Sequence, residues 1–304
     1  MITLEKVSKF IISDMSLHIP KGACVGIIGA SGAGKTTLLK VICGLLQPEN
    51  GYVRTLGKEP VKGKGTYKRD LSVWMVGHSA LEDGDTVHQS FVLLQRIYGL
   101  QEQAFWQEYE ELAVRLDFKE YEGKNLKSLS LGQRMRVELA AAFIGNPSLI
   151  LLDEPNVGLD ENAKAALWKL VQEKCKAGAT IVTASHSLTD MSKVCDRIIL
   201  LDKGRLLYYG SEENLRSKYA STDRMELKLM GKLPDLEDLP LKEYNISETE
   251  VELFYDSNYL SAVEILAVVL AQTQVAEVKI IKPDLADIIM QMEGERGNES
   301  DRSE

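Results

Sequence analysis

Nowhere in this 304-residue chain is there an apolar stretch long enough to cross a bilayer. A spanning helix needs roughly 20 such residues, and the longest suspicious run, AVEILAVVLA at 262–271, is about half that length and carries Glu264. It is read as a core helix. No secretory leader is seen either, because ITLEKVSKF alternates and carries charge early, so the active parts are expected in the cytoplasm. Cys24, Cys43, Cys175 and Cys195 show no CxxC spacing, which argues against a zinc ribbon or a dithiol redox pair, and reduced, buried thiols are expected. Basic residues are outnumbered 36 to 45, giving a net charge of −9, and this argues against a nucleic-acid partner. The one basic run, KGKGTYKR at 62–69, reads as a solvated loop. Aromatic residues are few, and Trp74, Trp106 and Trp168, like His18 and His88, sit where packing or surface roles suffice. They are given no chemistry.

What remains is a folded chain with 44% hydrophobic and 27% charged residues, enough for two domains with a substantial core. Residues 29–36 read GASGAGKT, which fits the phosphate-binding loop GxxxxGK[ST]. Gly29, Ala30, Ser31, Gly32, Ala33 and Gly34 are small enough for backbone N–H groups to curl around phosphate oxygens. CVGIIG before them reads as a buried parallel strand, and TTLLKVICGLL after them as a helix whose positive end faces the anion. One group at a helix N-terminus contributes only about 0.3 to 1 kcal/mol, so several amides, Lys35 and a metal must act together. Lys35 meets the outer phosphates, Thr36 offers its hydroxyl to Mg²⁺, and Thr37 completes the loop end. A second apolar strand, residues 149–152, delivers Asp153 to the carboxyl edge of the sheet, where it can orient a magnesium-bound water. Glu154, one step further, can reach the attacking water and is the candidate general base. One ATP site accounts for these segments.

The chain then resembles the ATP-binding-cassette (ABC) family over residues 2–215, with the motifs in the family's order. LSLGQ at 129–133 resembles the signature LSGGQ and opens a helix through RMRVELAAAFIG; NVGLD at 156–160 resembles the D-loop; TASH, ending at His186, resembles the switch-histidine loop. The resemblance implies that His186 contacts the γ-phosphate, that Phe10 stacks on adenine, and that Ser130, Gly132 and Gln133 face the nucleotide of another subunit. Two departures stand out. His78 occupies the place of a Gln that contacts the metal, so coupling is expected to vary with pH, and Leu131 replaces a Gly.

The resemblance further implies a cytoplasmic ATPase peripheral to the inner face of the cell membrane, using ATP and Mg²⁺. It pairs with a second ABC subunit, as a homodimer, and drives a separate integral membrane permease, with export as the direction. Residues 81–91 are the expected permease contact. Rival readings are a soluble non-transport ABC ATPase and a low-turnover ATP-binding scaffold. The expected fold is α/β: a P-loop NTPase core with a mostly parallel sheet over residues 1–218, a helical signature subdomain at about 79–144, and a small α+β C-terminal domain at 219–292. Within that last domain, residues 231–250, acidic and with Pro234 and Pro240, read as a connection, PDLADIIMQM reads as a short helix, and residues 293–304 read as a disordered tail.

Overall fold

A computed structural model of the chain describes residues 1–60, 69–75, 77, 81–219, 222–283 and 287–288. His78, most of the basic run at 62–69, most of PDLADIIMQM and the tail lie outside the described residues.

The chain divides into a unit from Met1 to Tyr209 and a unit from Gly210 onward. The first begins with β1 (Ile2–Lys9) and β2 (Ile12–Ile19), then β3 (Cys24–Ile28), α1 (Lys35–Cys43), β4 (Asn50–Thr55) and β5 (Leu71–Met75). Three helices follow, α2 (Val87–Tyr98), α3 (Glu102–Arg115) and α4 (Leu131–Phe143). The unit closes with β6 (Leu149–Asp153), α5 (Glu161–Lys176), β7 (Thr180–Ser185), α6 (Leu188–Ser192), β8 (Arg197–Asp202) and β9 (Arg205–Gly210).

Six strands form one sheet in the order β5-β6-β7-β3-β8-β9, and the pairs from β5 to β8 are parallel. Every residue of β3, β6 and β7 is buried, which is why CVGII and LILLD read as continuous apolar runs with no alternation. A second sheet, β2-β1-β4, is antiparallel. One core cluster joins Leu38 and Leu39 of α1 with Ile2 and Ile19 of the antiparallel sheet and Leu151, Val182 and Ile199 of the parallel one. Each such leucine contributes roughly 1.5 to 3 kcal/mol on burial, so α1 is held by packing more than by helix propensity. α2 and α4 are started by capping boxes, Thr86 with Gln89 and Ser130 with Gln133, each satisfying two backbone donors reciprocally.

All four cysteines are free; Cys24 and Cys195 are buried, with their sulfurs 3.6 Å apart, whereas Cys43 and Cys175 are only half-buried. A hydrogen bond with Cys24, together with burial, pushes the Cys175 thiol up, away from thiolate character.

The second unit contains α7 (Glu212–Tyr219), β10 (Thr222–Leu229), β11 (Leu241–Ser247), β12 (Glu250–Asp256), α8 (Ala262–Leu270) and β13 (Val275–Ile281). Its sheet runs β11-β12-β10-β13, antiparallel throughout. Two expectations are corrected here. Residues 241–247, read as part of a connection, form β11, an edge strand whose residues are almost all exposed and therefore polar enough to pass for a loop. The 262–271 run is a helix, but not a core helix: it buries Ile265 and Val269 while Val263 is 74% and Leu270 58% exposed, because a sheet one layer deep covers one face of a helix only.

The turn between β8 and β9 positions the site. Gly204, at φ 77°, donates its N–H to Ala33 O at 3.0 Å and accepts from Ser13 N at 3.2 Å. A Cβ there would stand 1.7 Å from Ile11 O, whereas Gly57, at φ 74°, has open space around it. Gly57→Ala is expected to cost roughly 1 kcal/mol from backbone strain, and Gly204→Ala about 3 kcal/mol because strain and collision add. Urea unfolding of both variants checks this; equal midpoints would contradict the assignment of Gly204 as the wedge between the two loops.

Candidate active site

The parallel strands end level with one another. Met75 pairs with Asp153, Asp153 with Ala184, and Ile28 with Ser185, so the residues that follow β3, β6 and β7 emerge along one carboxyl edge.

Between β3 and α1, residues 29–34 make a tight loop closed by Ala33 N donating to Ala30 O at 3.1 Å. Gly32 (φ 81°) and Gly34 (φ 106°) take the left-handed conformations that side chains resist. Gly29 is excluded from bearing a Cβ by Leu201 O, 2.3 Å from where it would sit. Lys35 is buried and folds back over its own loop, its Nζ donating to Gly29 O at 2.8 Å and Ala30 O at 3.2 Å. This ring of amides at a helix N-terminus, closed by a cation, is built to hold an anion. Ala30, Ser31 and Thr36 are exposed along its rim, with Thr37 half-buried beside them.

Thr36 Oγ1 donates to Asp153 Oδ2 at 2.6 Å. Asp153 is only 7% exposed, and its Oδ1 has no hydrogen-bond partner among the described residues. A buried carboxylate oxygen without a donor carries a desolvation penalty that a cation or a bound water would remove. Among the described residues no cluster of three or more His, Cys, Asp or Glu could hold a metal alone. A site of one carboxylate and one hydroxyl suits Mg²⁺, which takes its other oxygens from phosphates and water.

Glu154 has φ 53° and donates its N–H to Ala184 O at 2.9 Å. Its Oε1 lies 3.8 Å from Lys35 Nζ and its Oε2 3.0 Å from Nδ1 of the exposed His186. Lys35, Thr36, Asp153, Glu154 and His186 are thus brought together. Phe10 is 70% exposed at the β1–β2 turn, and the neighbouring Ile11 packs within 3.3 Å of the Cβ position of Gly34. Its ring is free to meet a flat partner beside the loop, with Lys9 Nζ 4.6 Å from its centroid.

The signature residues are not part of this group. Among the described residues no hydrogen bond or ion pair joins Ser130, Gly132 or Gln133 to residues 29–37. Ser130 Oγ accepts from Gln133 N at 3.3 Å, and Gln133 Oε1 accepts from Ser130 N at 3.0 Å, so the Gln133 side chain is spent in part on its own helix cap. Leu131 is exposed and packs against Gly158, while a Cβ on Gly132 would lie 3.0 Å from Gly158 O. Arg136, given no role from sequence, and Asp160, the last residue of NVGLD, complete this region: Arg136 pairs with Asp117 and Asp160, and Asp160 caps α5 by accepting from Ala163 N at 2.9 Å. The Ala163 amide, then Arg136, hold the Asp160 carboxyl below the ordinary range. An acidic residue just before a helical run was the available signal.

The sequence profile of the ABC transporter family matches residues 12–157. The chain is 33% identical to the ABC transporter ATP-binding protein NatA of Bacillus subtilis, over 70% of this chain and 86% of that protein. It belongs to the ABC transporter family. Another relative, the Nod factor export ATP-binding protein I of Burkholderia orbicola, is 29% identical over 72% of each chain. A solved ATP-binding subunit of an ABC transporter superposes with a TM-score of 0.67 at 26% identity, covering 72% of this chain and 92% of that one. The α/β fold with its largely parallel sheet is therefore the ABC ATPase fold, and the chain falls among the family's ATP-binding subunits.

Ser130→Ala removes the cap of α4 and should cost about 1 kcal/mol. Urea titration reads the loss; an unshifted midpoint would mean that the capping box carries no stability.

Proposed function

We propose that the chain hydrolyses ATP with Mg²⁺ in a head-to-tail dimer, as the energy-supplying subunit of an exporter whose membrane permease is a separate protein. The observation that supports this most directly is Asp153 Oδ1, without a partner among the described residues, at the end of a buried strand, beside Thr36 and within the group formed by Lys35, Glu154 and His186.

Lys35 exchanges the Gly29 and Ala30 carbonyls for the outer phosphates, together with the amides of Gly29 to Thr37. Thr36 and Asp153 are the residues that would hold Mg²⁺, which when bound neutralises charge shared by the outer phosphates. Glu154 accepts a proton from the attacking water as the new P–O bond forms and the bond to the ADP oxygen breaks. His186, 3.0 Å from Glu154, orients the water and the γ-phosphate. Phe10 stacks on adenine.

A dimer is supported by the lack, among the described residues, of any hydrogen bond or ion pair between the signature residues and the chain's own phosphate loop. Ser130 Oγ already accepts from Gln133 N, which leaves its O–H to donate, and with the amides near Gly132 it faces the γ-phosphate of the partner. ATP then stabilises the closed dimer, and hydrolysis returns it to the open one. Export is favoured by the named export relative. A separate permease agrees with the lack, among the described residues, of any helix long and apolar enough to cross a membrane; in this reading the chain works at the cytoplasmic face.

Glu154→Gln should bind ATP as the parent does and lose turnover by roughly 10² to 10⁴ fold; near-parental turnover would remove Glu154 as the base. Purification from detergent-solubilised membranes should bring down a multi-spanning protein with the chain, and its reproducible absence would sink the transport reading.

A further inference from the structure

Trp74, a residue to which composition and spacing assign only packing, is buried on β5, and its indole N–H donates to Glu138 Oε2 at 3.3 Å. Glu138 stands on α4 with its side chain 11% exposed, and its other oxygen accepts from Arg134 Nε at 2.8 Å, one helical turn nearer the signature. Arg134 Nη1 reaches Asp83 Oδ1 at 2.6 Å. One pair of side chains on α4 therefore grips the chain on both sides of residues 76–80. Trp74 immediately precedes Met75, the register partner of Asp153, and Arg134 immediately follows Gln133, the last residue of LSLGQ. The hydrogen-bonded path leads from the strand beside the metal-side carboxylate to the first turn of the signature helix.

Packing alone does not call for charge here. A helix rests on a sheet through apolar contacts, and well-packed hydrophobic residues of similar volume often replace a buried ion pair with no loss of stability. What directional hydrogen bonds add is a defined rotation and register, because an indole N–H and a guanidinium fork each accept only a narrow range of partner positions. An unpaired Glu138 in this setting would be a buried charge, so departures from the register are penalised.

We infer that Glu138, acting with Trp74 and Arg134, is a positioning residue for ATP hydrolysis: it sets the rotation of α4 on β5, and so presents Ser130 and Gly132 to the partner's nucleotide in step with Asp153. Glu138 touches neither nucleotide nor water and works through the helix it stands on. This rests on the ATPase reading above.

The split between binding and turnover tests it. Glu138→Gln keeps an acceptor for Trp74 but loses the charge facing Arg134, and Trp74→Phe keeps the ring but loses the donor. ATP affinity, measured by calorimetry on the full chain, should stay within about twofold of the parent, because residues 29–37 bind without α4, while kcat falls about ten- to a hundredfold, the scale of a misplaced catalytic geometry. If Glu138→Gln does not fold, Arg134→Lys, which keeps the charge and shortens the fork, should still lower kcat without weakening ATP binding. Parental kcat in the folded variants, beside an inactive Glu154→Gln, overturns this inference alone, as does a loss of kcat matched by an equal loss of ATP affinity. A parent chain as inert as Glu154→Gln overturns the ATPase reading and this inference with it.

Discussion

β3, β6 and β7 are covered on both faces, so none of their side chains can carry a solvated charge until the strand ends. That constraint gathers the polar groups of the site at the carboxyl edge. Asp153 is the last residue of its strand and remains buried, which explains both the short bond from Thr36 and the unmatched second oxygen. Glu154 escapes the strand by adopting φ 53°, a costly conformation held in place by its N–H bond to Ala184 O. The same edge places Lys35 between the loop carbonyls and Glu154, so the cation that closes the anion ring also faces the neighbouring carboxylate.

The signature region follows a different logic. Ser130, Gly132 and Leu131 are organised by α4 itself and by the Gly158 to Asp160 segment, through the cap, the close approach of Gly132 to Gly158 O, and the Arg136–Asp160 pair. These contacts define the direction of the α4 N-terminus without reference to the chain's own phosphate loop. The N–H groups its capping box leaves over, and the Ser130 O–H, can donate to an anion. The proposed partner nucleotide supplies one.

The unit from Gly210 onward shows why its own elements were harder to read. β10 and β12 alternate cleanly because one face is covered and the other is not, and α8 declares its start with Ser261 and Glu264 as a capping box. β11 has neither advantage: as an edge strand it exposes both faces and looks like the loop before it. The apolar composition of α8 pointed to a core position, yet composition carries no information about how many layers surround a helix.

From sequence alone came the order of the motifs, the strand and helix around GASGAGKT, the apolar run that delivers Asp153, and the adjacency of Glu154. Each of these is local: a period, a cap, a glycine whose φ no other residue takes easily, a run of apolar residues between turns. Tertiary structure decided what lies across space: that Asp153 bonds Thr36 and leaves one oxygen bare, that Glu154 is shared by Lys35 and His186, and that Trp74 meets Glu138. Chemistry between residues far apart in the chain depends on strand register and on side-chain direction within a packed core. These are properties of the fold as a whole, since a shift of one residue in β5 or β6 would move every one of those partners to the opposite face.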